Sequence, residues 1–216
     1  MTSSGVFLGW PMTVYEEKAY LFTGRPQVDF FDLVAESWGS INTTYNRSEN
    51  DTRAGVGTWP YPGGSLTDAV MEIVHGKMYV FGGTHKKTNI GCNLFMQLDL
   101  STKEWRRLSG TVMAIEPDYS SPGPRKTPSS WVDKGKDRIF LMFGQCDREG
   151  AKYSGELHGA DSGYAFEDFW SWDIKDGKWR RERMSGNPPC PRSEMACAYV
   201  RLRCCLGIYI QLKLPG

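Results

Sequence analysis

Three apolar runs of strand length punctuate the chain. Lys18-Ala19-Tyr20-Leu21-Phe22 leads into Thr23-Gly24, Lys77-Met78-Tyr79-Val80-Phe81 into Gly82-Gly83, and Arg138-Ile139-Phe140-Leu141-Met142-Phe143 into Gly144-Gln145. Each opens on a cation and closes on glycine. Apolarity this continuous, without polar alternation, predicts a strand buried on both faces. Glycine packs nothing at a strand end, so its place there predicts a turn where no Cβ fits. The pair is complete in the second run; Thr23 and Gln145 replace one member in the others.

A second pattern follows each run. "FDLVAESW", "LDLSTKEW" and "WDIKDGKW" place a Trp six positions after an Asp: Asp32 and Trp38, Asp99 and Trp105, Asp173 and Trp179. Only 8 Trp occur in 216 residues, so three in one register mark a repeat. The spacing predicts a hairpin. The Asp ends one strand and caps the turn through its side chain, and a new strand carries the Trp. A ring of that size can bury roughly 200 Å² against a neighbouring unit.

A third element precedes each run: "MTVYEE", "TDAVMEIVH" and "KTPSSWVD". "TDAVMEIVH" alone could form a helical turn; the repeat assigns it to a strand. A fourth copy starts at "PRSEMACAYV", residues 191–200. Each unit thus has four short strands, a to d. Apolar run, glycine, aromatic strand and Trp together resemble the kelch repeat, whose units are four-stranded blades of a β-propeller. The resemblance covers residues 9–200 and is most specific over 77–109. It implies an all-β fold: an incomplete propeller of three blades (9–41, 67–109, 127–184) and the start of a fourth from 191, within a single domain, 1–216. The Trp spacings of 67 and 74 residues exceed the roughly 50 of a kelch unit, which predicts insertions.

Composition supports a turn-rich β chain, with 24 Gly, 12 Pro and 13% aromatics. Lys and Arg number 26 against 25 Asp and Glu, a net charge of +1. That balance gives no field calling for nucleic acid or an anionic membrane. No apolar stretch reaches the roughly 20 residues of a membrane helix, and "MTSSGVFLGWPM" lacks a basic signal-peptide start. The expectation is an intracellular, cytoplasmic chain. The cysteines (Cys92, Cys146, Cys190, Cys197, Cys204, Cys205) then stay reduced. With no C-x-x-C pair they predict no zinc site, and Cys197 reads as a core residue. Glycosylation sequons at Asn42, Asn46 and Asn50 matter only in a secreted chain.

Candidate chemistry is sparse. His75 falls in a short turn, and His85 and His158 in longer loops. The propeller architecture is shared by galactose oxidase, whose copper site gathers His and Tyr ligands from several blades. That resemblance implies an alternative reading, a metal-dependent enzyme using the same face, but no motif assigns these histidines to it. Surface loop histidines are the plainer reading, because fold does not carry function. No G-x-S-x-G, H-E-x-x-H or phosphate-loop pattern is present, so no catalytic residue, metal site or cofactor is expected. In "WRRERM", Arg180 and Arg181 alternate faces and suit a charged outer strand.

Loop lengths point to a surface. The a–b turns near Glu16, His75 and Lys134 and the c–d turns "VAES", "STKE" and "KDGK" are short. The long segments, 42–66, 84–92, 110–126 and 145–163, are all b–c or d–a connections and share one face. Long insertions grouped on one face mark a binding face. The expectation is a protein-interaction module with an unidentified protein partner. His85, Lys86, Lys87, Arg125, Asp147, Arg148, His158 and Asp161 would supply contacts, while Gly24, Gly82, Gly83, Gly144 and the Asp–Trp pairs hold the repeat. After Tyr199, "RLRCCLGIYIQLKLPG" carries neither a glycine pair nor a Trp. Three blades cannot close a ring, so the sequence also predicts a truncated product whose terminal blades associate through exposed apolar faces.

Overall fold

The computed structural model describes residues 9–46, 59–61, 66–85, 92–111, 119–147, 157–160 and 163–193. The fourth repeat copy, from Glu194 onward, lies outside them, as do Cys197, Cys204 and Cys205. Among the described residues every regular element is a strand. The first blade runs β1 (Met12–Tyr15), β2 (Lys18–Leu21), β3 (Val28–Asp32) and β4 (Ser37–Ile41), paired in that order. The short β5 (Thr44–Tyr45) follows. The second blade is β6 (Leu66–Val74), β7 (Lys77–His85), β8 (Phe95–Asp99) and β9 (Glu104–Ser109), again in order. Strand β5 leaves the first blade and lies parallel to β9, with Thr44 opposite Glu104 and Tyr45 opposite Trp105. It therefore clips one blade to the next.

The third blade begins with β10 (Ser129–Val132) and β11 (Arg138–Met142). The chain then forms a small separate sheet from β12 (Gln145–Cys146), β13 (Leu157–Ala160) and β14 (Gly163–Phe166), ordered β12-β14-β13. It returns as β15 (Phe169–Asp173) and β16 (Lys178–Glu182) to complete the order β10-β11-β15-β16. All pairs within the blades are antiparallel. The sequence predicted a long b–c connection over 145–163; its two ends pair, and Leu157 stands opposite Phe166.

The unbroken apolar runs have a direct cause. Side chains alternate along a strand, and each face of a blade is covered by a different neighbour. Met78 and Val80 of β7 join Tyr20, Phe22 and Val28 in the core between the first and second blades. Tyr79 and Phe81, the alternate residues, join Ile139, Leu141 and Trp172 in the core between the second and third. One strand serves two cores, so it has no polar face.

The three Asp side chains cap the c–d turns. Asp32 Oδ1 accepts from the N–H groups of Val34 and Ala35 at 3.0 and 2.9 Å. Asp99 Oδ1 accepts from Ser101 N at 2.9 Å and Thr102 N at 3.2 Å, and Asp173 Oδ1 from Asp176 N at 2.9 Å. These bonds favour the charged carboxylates, which lie below the usual range: Asp99 chiefly through Ser101, Asp32 and Asp173 through backbone donors.

The glycine register differs from the sequence reading by one position. Lys77 stands opposite Asp99 and Arg138 opposite Asp173, so Phe81 corresponds to Met142. The left-handed glycines then align as Gly24, Gly83 and Gly144, with φ of 86°, 89° and 92°. In the third blade Phe143, at φ 61°, stands where Gly82 does. The glycine lost there is the first of the pair, so Gln145 is not its replacement. At Gly83 a Cβ would come within 2.6 Å of the Thr67 carbonyl oxygen, a contact no side chain tolerates.

Candidate interaction face

Antiparallel order sends alternate connections to opposite edges of each blade. At one edge the turns are brief: 16–17, 33–36, 75–76, 100–103, 133–137 and 174–177. At the other edge emerge 42–65, 86–94, 110–128 and the 143–168 segment with its own small sheet. The long-loop edge is anchored by the innermost strands. Asp68 N donates to Gly9 O at 2.7 Å, and Thr127 N donates to Asp68 O at 2.7 Å. Residues at the same point of three blades are thus tied in series. Asp68 and Thr127 take left-handed φ of 61° and 49° to do so, a strain that non-glycine residues accept only where the surroundings fix it. Thr84 Oγ1 donates to Asp68 Oδ2 at 3.1 Å and shares a 3.0 Å bond with Thr67 Oγ1, closing a polar cluster beside the end of β7.

The expected contact residues divide into four groups. Lys86, Lys87, Arg148 and Asp161 lie outside the described residues. His85 and His158, expected in loops, stand instead on strands: His85 ends β7 opposite Leu66, and His158 lies in β13 opposite Ala165. Asp147 follows β12 at the long-loop edge and is half-buried. His75, in its tight turn at φ 51°, donates through Nε2 to Lys136 O at 3.0 Å, at the short-turn edge.

Arg125 requires a correction. It was expected at a partner surface, and it is 0% exposed. Its Nη1 and Nη2 grip Asp168 from both sides, Nη2 at 2.7 Å from Oδ2. Nη1 also donates to Phe143 O at 3.0 Å, and Nε to Gly123 O at 3.0 Å. The guanidinium lies 3.6 Å from the centre of the Phe166 ring. Trp170 Nε1 donates to Asp168 Oδ2 at 2.7 Å. Such a planar, doubly bonded, ring-stacked arginine holds structure together. A repeat would have revealed it: Pro124-Arg125 recurs as Pro191-Arg192. Arg125 O accepts from Gly83 N, and Arg192 O accepts from Gly144 N, both at 3.0 Å.

Exposed aromatics at this edge went unread in the sequence. Tyr119, in the 110–128 connection, is 69% exposed, and Trp10, just before β1, is 41% exposed. Neither belongs to a repeat position, so periodicity gave no signal for them. Cys92 and Cys146 are buried free thiols, and burial pushes both up to about 12. A thiol so desolvated stays protonated and unreactive. Among the described residues no three His, Cys, Asp or Glu side chains gather to share a metal ion. No helix among them is long and apolar enough to cross a membrane.

Comparison with known proteins gives the relationship. The chain is similar to the Kelch domain-containing protein 1 of Mus musculus, 27% identical over 144 residues, 62% of this chain and 34% of that protein. The Homo sapiens protein of the same name is 26% identical with the same coverage. The chain therefore spans about a third of the length of these curated relatives. Among solved structures it resembles YjhT, with a TM-score of 0.57 at 14% identity over 90% of this chain and 54% of that one. That likeness supports the propeller fold. The profile of the KLHDC2/KLHL20/DRC7 Kelch-repeats domain matches residues 9–207, and the chain belongs to this kelch-repeat family.

Proposed function

We propose that the chain is a protein-interaction module whose working surface is the edge from which the long connections emerge. The observation that supports this most is the segregation of loop lengths: among the described residues no connection at the opposite edge exceeds the 133–137 turn. A rigid stack of blades presenting variable loops at one edge is suited to recognition. The exposed rings of Tyr119 and Trp10 are of the residue types that most often anchor interfaces. The long connections and the strands that border them also carry His85, Lys86, Lys87, Asp147, Arg148, His158 and Asp161 in the sequence, charges of both signs that suit a mixed-charge protein partner. This reading keeps the chain inside the cell, where its described cysteines remain free thiols.

Affinity capture from cell lysate with Tyr119→Ala, and separately with Lys86→Glu plus Lys87→Glu, tests the reading. Each variant should retain less of the proteins bound by the parent chain while keeping its β-sheet circular dichroism. Retention unchanged in both would remove this edge from the binding surface.

A further inference from the structure

The outer strand of the second blade closes on Arg106-Arg107-Leu108-Ser109-Gly110. Two arginines, one spacer and a serine form the pattern that arginine-directed kinases read along an extended chain. Each guanidinium can then meet an acidic subsite of the kinase through charge-assisted hydrogen bonds. The repeat explains Trp105 and none of residues 106–109. The third blade offers a comparison: its outer strand continues as Arg180-Arg181-Glu182-Arg183-Met184-Ser185-Gly186. Ser185 has Glu182 three positions before it, where Ser109 has Arg106.

The structure adds two facts that the pattern lacks. First, among the described residues β5 runs beside β9 only at Glu104 and Trp105. Residues 106–109 therefore lie extended past the clip, with Arg106 exposed and Arg107, Leu108 and Ser109 half-buried. Gly110, at φ 69°, then turns the chain. Second, the Ser109 hydroxyl works across a joint. Trp179 Nε1 donates to Ser109 Oγ at 3.0 Å, linking the third blade to the second. The Trp179 ring sits 4.8 Å from Phe95 and 5.6 Å from Phe81, and Leu108 packs against the same core. One hydroxyl thus joins a kinase-readable strand to the seating of the next blade's tryptophan.

We propose that Ser109 is a phosphorylation site for an arginine-directed serine kinase, and that phosphate there loosens the joint between the second and third blades. Ser109 Oγ attacks the γ-phosphorus of ATP, and the bond from that phosphorus to the β–γ bridging oxygen breaks. ADP leaves, and the hydroxyl proton passes to the kinase's catalytic carboxylate. The product carries a charge of about −1.5 to −2 at pH 7. That charge stands opposite Phe95 and next to Leu108. A dianion against apolar side chains is costly to desolvate, and its bulk displaces the indole from its hydroxyl partner. The neighbouring cations are already engaged. Arg106 Nε donates to Gln97 Oε1 at 2.5 Å, and Arg107 Nη1 donates to Gly110 O at 2.7 Å.

Incubation of the full, folded chain with ATP, Mg²⁺ and the catalytic subunit of cyclic-AMP-dependent kinase, an arginine-directed enzyme, tests the proposal. Peptide mass mapping should find the phosphoryl group on Ser109. Arg106→Gln should be phosphorylated about tenfold more slowly, the loss of one charge-assisted contact. The phosphorylated chain should melt below the unmodified one. In Trp179→Phe, which has no indole donor to displace, phosphate should lower the melting temperature less. No phosphate on the folded chain, or phosphate that enters only after heat denaturation, overturns the proposal. So does phosphate on Ser185 in preference to Ser109, or an Arg106→Gln rate equal to the parent's. A melting temperature that phosphate leaves unchanged or raises, or a drop as large in Trp179→Phe, overturns it as well.

Discussion

The indole ring of Trp105 lies 5.0 Å from the ring of Phe22, which belongs to the blade before its own. This relationship converts a sequence repeat into an architecture. The apolar run of one unit supplies the seat, and the Asp–Trp hairpin of the next supplies the wedge. Trp105→Ala should cost about 3–5 kcal/mol, as a buried aromatic truncation does. Arg106→Ala, on the exposed side of β9, loses only the bond from its Nε to the Gln97 side chain and should cost about 1 kcal/mol. Chemical denaturation of both variants checks this, and equal losses would contradict the register of β9.

The buried arginine gives a second expectation. Asp168→Ala leaves Arg125 charged, fully buried and without its carboxylate, and frees the indole N–H of Trp170. Breaking a buried ion pair on one side costs about 3–5 kcal/mol. Arg125→Lys should also destabilise, since an ammonium offers neither the two-pronged contact nor the stacking on Phe166. Thermal melts that place either variant with the parent would refute this role.

Glycine 83 and glycine 76 separate two costs of a side chain. Both are left-handed, at φ 89° and 70°, but a Cβ at Gly76 meets nothing within 4 Å. Gly76→Ala should therefore lose only about 1 kcal/mol, the backbone preference. Gly83→Ala adds the clash with the Thr67 carbonyl and Ala69 and should lose clearly more. Equal melting temperatures would mean that β6 and β7 shift apart without cost.

Glu72 makes stability depend on pH. It lies between β6 and β10, with Ser130 Oγ donating to Oε1 at 2.6 Å. Burial pushes its carboxyl above the usual range despite that bond. A folded-state value above the unfolded one, about 4.3, means the native state holds the proton more tightly. Stability from this group is then present below the unfolded value and is lost as pH rises through the folded one. Glu72→Gln, neutral throughout, should melt higher than the parent at pH 7, with the gap closing toward pH 4. A gap that widens toward pH 4 would give the shift the opposite sign.

The sequence displayed the blades because a strand serving two cores cannot hide it: Lys77 to Phe81 has no polar face to break the run. The Asp–Trp hairpins were equally plain, since turn capping and ring seating each demand one residue type at a fixed spacing. Three features were missed. Phe143 takes the left-handed position that Gly82 holds in the second blade, although the sequence reading kept it in the apolar run and took Gly144 as the first of the pair. Arg125 looked like a surface cation because its carboxylate, Asp168, is 43 positions away. Tyr119 fell between repeats, where periodicity says nothing about exposure. For Arg125 the contact that decided its role was distant in sequence.

The central claim is that recognition belongs to the long-loop edge. Its most direct test is quantitative affinity capture with two remodelled chains. In one, residues 86–91 and 148–162 are replaced by short Gly/Ser turns, which closes the loops at little thermodynamic cost. In the other, the opposite edge is altered by Val34→Glu, Lys103→Glu and Asp176→Lys. The proteins retained by the parent chain should be lost by the first and kept by the second. Retention by the loop-shortened chain, or loss by the chain altered at its short turns, would contradict the assignment.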